Sequence, residues 1–388
     1  MDKILEFPKG FLWGSSTSSY QVEGGIENCD WSKDFPAGIA CDHYHRYKED
    51  FNLLKKLNQN AYRFSIEWSR IEPEEGKFDE KEIEHYRQVI LALRKCEIEP
   101  FVGLWHWTNP LWIKNKGGWE SKKIAYYFSR YAEKIVSSLK DNVKFWITIN
   151  EPEIFTGSSY VLGIWPPYKK SLFSFISVIN NLIRTHREAY KIIKKIQPNA
   201  QVGIATNNTY YEAFNDPISL LVKNIVERLD HFYILDRIKN YQEFIGLNYY
   251  FHNRIRRFKF NQNENKSVSD LGWEIYPKGI YFVLKNLNRY KKPIYITENG
   301  LADVKDKLRK DFIKDHLFWT HKAIEGGIDV KGYFHWSLMD NLEWHRGFEP
   351  EFGLIGIDYK TLERKPRPSA FYYAKICQEN QLILNSEF

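Results

Sequence analysis

Short runs of apolar, β-branched and aromatic residues alternate along the chain with longer segments whose apolar positions recur every three or four residues. The short runs are Phe11–Ser15, Ala61–Ile66, Pro100–Trp105, Lys144–Ile149, Val202–Thr206, Phe244–Tyr249, Pro293–Thr297 and Gly332–Ser337, and each reads as a buried strand. The longer segments are Tyr47–Leu57 (Phe51, Leu54 and Leu57 on one face), Glu80–Lys95, Ile124–Leu139, Ser174–Ile196, Tyr281–Asn288 and Asp311–Glu325, read as helices. Strands alternating with helices predict a parallel sheet, and eight strands are the number that closes a (β/α)₈ TIM barrel, an α/β fold. No Pro/Gly/Ser-rich linker, low-complexity tract or repeat interrupts the pattern, so one domain is expected over residues 1–388. Two connections are long: Ser16 to about His43 after the first strand, and Leu338 to Arg364 after the last. Long loops after barrel strands are where such folds build the walls of a site.

Composition narrows the picture. A hydrophobic content of 43% over 388 residues supports a large core, and 16% aromatics, with 13 Trp and 25 Tyr, exceeds ordinary core needs. The net charge of +7 is scattered, apart from short runs such as Arg254-Ile255-Arg256-Arg257. No basic helix carries interleaved aromatics, so nucleic acid is not an expected partner. The four cysteines, Cys29, Cys41, Cys96 and Cys377, are dispersed and read as free thiols of a reducing compartment. Met1–Lys9 lacks the apolar run of a signal peptide, and no stretch approaches a membrane span. The cytoplasm is the expected location.

The chemistry gathers at strand ends. Trp146-Ile147-Thr148-Ile149-Asn150-Glu151-Pro152 reads as a buried strand stopped by a proline directly after an Asn-Glu pair. Alone, Glu151 reads more readily as a residue that merely caps the next helix. The same arrangement returns at Ile294-Tyr295-Ile296-Thr297-Glu298-Asn299-Gly300, 147 positions after Glu151, and only tertiary folding joins the two. The other strand ends carry Arg63, His106-Trp107, Asn248-Tyr249-Tyr250, and Trp336 followed by Asp340-Asn341-Leu342-Glu343-Trp344. One barrel mouth would then hold two glutamates among amides, imidazole and aromatic faces, the mixture that recognises a polyol. Two carboxyls also supply what glycoside hydrolysis requires. Asp42-His43-Tyr44-His45 suggests a metal site, but His at i and i+2 on a helix point apart, so these are read as packing at a helix start and no metal is expected.

The chain resembles glycoside hydrolase family 1, the β-glucosidase and β-galactosidase family of the clan A retaining glycosidases. The likeness rests on Phe11-Leu12-Trp13-Gly14, Tyr20-Gln21-Val22-Glu23-Gly24, Tyr62 to Ile71, Thr148-Ile149-Asn150-Glu151-Pro152, Gly246 to Tyr250, Ile296 to Gly300 and Trp336 to Trp344. The resemblance implies a retaining, exo-acting β-glycosidase without cofactor, acting on terminal β-D-glycosyl residues of small β-glycosides or oligosaccharides. It implies a β-glucosidase with β-galactosidase and β-fucosidase side activity. It further implies Glu298 as nucleophile and Glu151 as acid/base, with Arg63 and Tyr250 supporting Glu298. Asn150 matches the binder of the sugar 2-hydroxyl. Gln21, His106, Trp107, Glu343 and Trp344 match binders of the other hydroxyls, Trp336 the stacking platform, and Trp273 an aromatic of the leaving-group subsite.

Physical reasoning agrees. Retaining carboxyls lie about 5–5.5 Å apart, too close for both to be charged comfortably. Glu298 beside Arg63 should carry the charge, and Glu151 should keep its proton. Three departures from the family pattern bear on the leaving group: Thr108-Asn109 where Asp-Leu is common, Glu153 where an apolar residue is common, and a short Asn207–Glu243 span. Glu343-Trp344 would repel a sugar phosphate, which disfavours the phospho-β-glycosidase branch, and Glu151 excludes the myrosinase branch, which has Gln there. A binding protein would be expected to have lost a carboxylate. Transglycosylation shares the same intermediate and stays open.

Overall fold

The structure, a computed structural model, describes residues 3–384; the ends of the expected 1–388 domain, residues 1–2 and 385–388, lie outside the described residues. Eight parallel strands close into a barrel in chain order: β1 (Leu12–Ser16), β2 (Ala61–Ser65), β3 (Glu99–Gly103), β4 (Phe145–Asn150), β5 (Gln201–Asn207), β6 (Phe244–Asn248), β7 (Ile294–Asn299) and β8 (Val330–Trp336). β8 pairs with β1 through Gly332↔Leu12 to Trp336↔Ser16, which completes the circle. Each strand lies within two residues of its expected bounds. These strands are enclosed on both faces, which is why they read as continuous apolar runs rather than alternating ones.

Inside the barrel, large rings are set against small residues. Phe101 stacks on Phe145 with centroids 4.1 Å apart, and Phe334 and Tyr295 close on Phe101 at 4.8 and 5.1 Å. A methyl group on Gly14 would strike the Phe334 ring, and one on Gly203 the Phe244 ring, so these two strands give up side chains to make room. The core is filled rather than hollow.

Outside run the helices α1 (His43–Lys56), α2 (Glu80–Lys95), α3 (Ile124–Leu139), α4 (Leu172–Ile196), α5 (Pro217–Glu227), α6 (Lys278–Leu287), α7 (Arg309–Glu325) and α8 (Pro368–Glu379). The observed bounds of α2 and α3 equal those expected. In α2 the cause is visible: the Asp79 carboxylate accepts from the Lys81 and Glu82 amides at 2.8 and 3.3 Å, and Ile83, Tyr86, Ile90 and Leu93 form the buried stripe. α1 begins four residues before its expected start, because His43 is held by Asp50 at 2.7 Å and a polar first turn precedes the apolar face. His45 instead meets Asp42, at 2.6 Å, on the exposed side.

Two of these eight helices lie outside the expected set. α8 follows the last long loop, and α5 runs on through a π-helical turn (Arg228–Phe232) into Tyr233–Ile238. The only buried residue of α5 is Ser219, and its apolar stripe, with Ile218, Leu221, Val222 and Ile225 at helical spacing behind the Asp216 cap and Pro217, is left exposed or half-buried. An antiparallel ribbon of Lys3–Glu6 with Gln381–Leu384 ties the two ends of the chain together. None of the four cysteines is in a disulfide.

Candidate active site

The two glutamates of the site stand where strand ends meet at one mouth of the barrel. β4 stops because Pro152 cannot continue the ladder, and Glu151 turns the chain with a left-handed backbone (φ 41°) into a short helix, Pro152–Thr156. Trp107 and Trp344 also take positive φ, 74° and 51°. Such non-glycine conformations cost on the order of 1–2 kcal/mol each, and here they aim side chains into a single cavity. On the opposite wall β7 delivers Glu298. Gly300, two residues on, is required for close approach, since any Cβ there would overlap the Trp336 carbonyl.

The two glutamates have different partners. Arg63, at 2% exposure, pairs with Glu298 Oε1, and the Tyr250 hydroxyl donates to Oε2 at 2.8 Å. The other Arg63 amino group donates to Asn150 Oδ1 at 2.5 Å. Glu151 meets only neutral amides: Asn248 Nδ2 at 2.7 Å and Asn207 Nδ2 at 3.1 Å, both on Oε1. Burial and, after it, the negative charge of Glu298 push the Glu151 carboxyl up to about 8, against the weaker pull of the two amides. One carboxyl is paired with a guanidinium and a phenol, and its neighbour holds a proton near neutrality.

His106 is neutral. Burial and the adjacent Arg63 charge hold its imidazole well below the ordinary value, so Nε2 accepts from Asn150 Nδ2 at 3.1 Å. Asn150 is thereby fixed between Arg63 and His106. Its backbone carbonyl takes the Trp107 indole N–H at 3.1 Å, so Trp107 offers the cavity its ring and not its donor.

The cavity between these groups has a volume of about 230 Å³. Of the residues expected here, Glu151, Glu298, His106, Trp107, Tyr250, Trp273, Trp336, Glu343 and Trp344 line it. Trp336 lies nearly parallel to the His106 ring at 5.9 Å, and Trp273 packs on Phe251 at 4.7 Å near the mouth. The Glu343 carboxyl has no hydrogen-bond partner among the described residues and is raised by burial and by the charge of Glu298. Trp344 is wedged against Trp31 and Trp107, each at 4.7 Å. Three expected residues sit behind the lining: Arg63, Asn150 and Gln21. Gln21 is fully buried, accepting from the Ser18 hydroxyl at 2.6 Å and donating to the Leu342 carbonyl at 2.6 Å and to Asn341 Oδ1 at 3.0 Å. It fastens the segment that presents Glu343.

Three participants carry no role in the sequence reading. Asn207 falls in the loop after the fifth strand, although the strand-end rule that singles out Asn150 applies to it equally. Asn248 stands in a motif with no role attached. Trp165, which packs on Trp107 at 4.6 Å and lines the cavity, lies outside every strand end and left no periodic signal. The departure Thr108-Asn109 proves structural: Asn109 bonds Asp30 through its amide N–H and its side chain, both at 2.8 Å, which locks the first and third loops together. Among the described residues no group of three or more His, Cys, Asp or Glu is arranged to hold a metal ion, and no helix is long and apolar enough to cross a membrane.

The sequence matches Glycosyl hydrolase family 1 over residues 4–237 and 231–382. Beta-glucosidase A of Thermotoga maritima is 34% identical over 445 aligned positions, covering 98% of this chain and 99% of the relative. That alignment is longer than the 388-residue chain, so the relative carries segments this chain lacks. A beta-galactosidase of Sulfolobus acidocaldarius is 30% identical, over 97% of this chain and 96% of the relative. Among solved structures, a beta-glycosidase from Pyrococcus horikoshii superposes with a TM-score of 0.92 at 39% identity, covering 98% of this chain and 96% of that one. With the barrel, the paired carboxyls and these matches together, the chain belongs to glycosyl hydrolase family 1.

Proposed function

We propose that this β-glycosidase is a retaining, exo-acting enzyme that removes terminal β-D-glycosyl residues, with glucosides preferred and galactosides and fucosides as side substrates. The observation that carries the reading is the unequal pair: Glu298 clamped by Arg63 and Tyr250, Glu151 held only by amides with its carboxyl raised to about 8. In the first step Glu298 attacks the anomeric carbon while Glu151 protonates the departing oxygen. A covalent glycosyl-enzyme and a free alcohol result. Glycosylation removes the Glu298 charge, one of the two causes that raise Glu151, so Glu151 then takes a proton from the attacking water. Water cleaves the ester with a second inversion, and the sugar leaves with its β configuration.

The lining supports the same substrate. Trp336 supplies a flat face for the apolar side of a sugar ring, and the unpartnered Glu343 carboxyl and His106 supply polar contacts for hydroxyls. Asn150, fixed behind them, offers its amide toward the 2-hydroxyl. Trp273 at the mouth suits a leaving group. A cavity of about 230 Å³ suits one ring rather than a long chain, which favours exo action. The names of the relatives, beta-glucosidase and beta-galactosidase, support both sugars. We read the whole chain as one catalytic domain, and the four unpaired thiols support a reducing, cytoplasmic setting.

Release of p-nitrophenol from the β-glucoside, β-galactoside, β-fucoside and β-mannoside tests the substrate reading. The glucoside is expected to turn over with the highest kcat/KM, and the galactoside and fucoside measurably. Binding of all four without release would overturn the assignment.

A further inference from the structure

Where β4 and β5 part company, a side chain takes the place of a strand. The ladder between them shifts register between Ile147 and Asn150 and ends at the Glu151 N–H, which donates to the Ala205 carbonyl at 2.8 Å. The next rung would join the Asn207 N–H to the Glu151 carbonyl. That carbonyl has been turned away by the left-handed backbone at Glu151 and accepts instead from Phe155, at 3.1 Å, within the short helix. The Asn207 N–H is taken by Glu153 Oε1. The same Asn207 uses its side-chain amide on Glu151 Oε1 at 3.1 Å. Glu153 therefore holds the residue that holds the acid/base carboxyl.

We propose that Glu153 is a positioning residue for general-acid catalysis, splicing the broken β4–β5 ladder so that Asn207 stays aimed at Glu151. The inference rests on the reading of Glu151 as acid/base. A carboxyl suits the splice only in its neutral form. Glu153 Oε2 is enclosed and has no hydrogen-bond partner among the described residues, which an ionised carboxylate tolerates poorly. Burial is the largest cause that raises the Glu153 carboxyl well above its ordinary range, and nearby Asp230 adds to it; ionisation of Glu151 would raise it further. Asp230, which accepts from the Tyr211 hydroxyl at 3.1 Å, is the acidic neighbour supplied by the π-helical turn after α5. A protonated Glu153 keeps its carbonyl oxygen as acceptor and adds no second negative charge beside the acid.

A general acid matters most when the leaving group is poor, and this separates positioning from damage. In Glu153→Met, similar in length but lacking the acceptor, kcat/KM for cellobiose is expected to fall about tenfold, while that for 2,4-dinitrophenyl β-glucoside stays within about twofold. Glu153→Gln retains the acceptor and the neutral charge, and is expected to restore cellobiose to within about twofold of wild type. Glu153→Ala repeats the test should the methionine not pack. An equal loss on both substrates, no loss on either, or failure of the glutamine to rescue would overturn the proposal. Glu151→Ala run alongside keeps the two readings apart. If it too shows no leaving-group dependence, the acid/base reading falls; if it shows dependence and the Glu153 variants do not, only the role of Glu153 falls.

Discussion

Glu298→Gln is expected to lower kcat on aryl β-glucosides by on the order of 10⁴-fold or more, because the amide cannot form the glycosyl ester through which both steps pass. The variant should remain folded. Its side-chain oxygen still accepts from Arg63, its NH2 can donate to the Tyr250 hydroxyl oxygen in place of the lost acceptor, and Arg63 keeps its second bond to Asn150. Loss of the ion pair will show in the melting temperature, since a buried guanidinium with a neutral partner is less well compensated. Truncation to Glu298→Ala opens space for a small anion on the face opposite the leaving group. Azide is expected to restore turnover of 2,4-dinitrophenyl β-glucoside, with α-glycosyl azide as the product identified by proton NMR. A β-azide would mean that the anion entered from the other wall. The same substitution reports on the electrostatics. With the Glu298 charge gone, the Glu151 carboxyl is expected to titrate below its native value of about 8, though burial keeps it above an ordinary carboxylate.

Glu151→Ala should separate the two steps. On cellobiose, whose sugar alkoxide leaves poorly without a proton, kcat/KM is expected to fall by about 10²–10⁴. On 2,4-dinitrophenyl β-glucoside kcat/KM should change little, while kcat drops because deglycosylation has lost its base. Added azide attacks the accumulated ester directly and is expected to raise kcat and yield β-glycosyl azide, the opposite anomer from the Glu298 variant. The pH profile carries the sign. The acid acts in its protonated form, so wild-type kcat/KM on cellobiose is expected to hold up to about pH 8 and to decline above it as Glu151 ionises. Glu151→Ala should lose that basic limb. A limb unchanged in the variant would assign it to another group.

The parts of this molecule legible in its sequence are those fixed by local chemistry. Barrel strands buried on both faces read as apolar runs, and α2 announced its start through the Asp79 cap and its register through Ile83, Tyr86, Ile90 and Leu93. α5 carries the same kind of signal, the Asp216 cap and Ile218, Leu221, Val222 and Ile225 at helical spacing, but that stripe stays largely exposed. The glutamates were found because Glu-Asn and Asn-Glu recur at strand ends. What sequence does not encode is which atoms of a residue are already spent. Gln21 matches a hydroxyl binder, and in the structure its amide bonds Ser18, Asn341 and Leu342 behind the lining. Trp107 reaches the cavity, yet its N–H belongs to Asn150. Asn207 carried no motif, and its importance lies in two donated bonds, from its side chain to Glu151 and from its backbone N–H to Glu153.

The covalent intermediate on Glu298 is the claim on which the retaining mechanism rests, and trapping it is the direct test. A 2-deoxy-2-fluoro-β-glucoside with a dinitrophenolate leaving group slows both steps through the electron-withdrawing fluorine, but the good leaving group keeps formation of the ester faster than its hydrolysis. Intact-protein mass spectrometry followed by peptide mapping is expected to show one fluoroglucosyl group per chain, on the peptide carrying Glu298, formed with a stoichiometric burst of dinitrophenol. No adduct despite turnover of the unfluorinated glucoside, or an adduct on Glu151, would contradict the account.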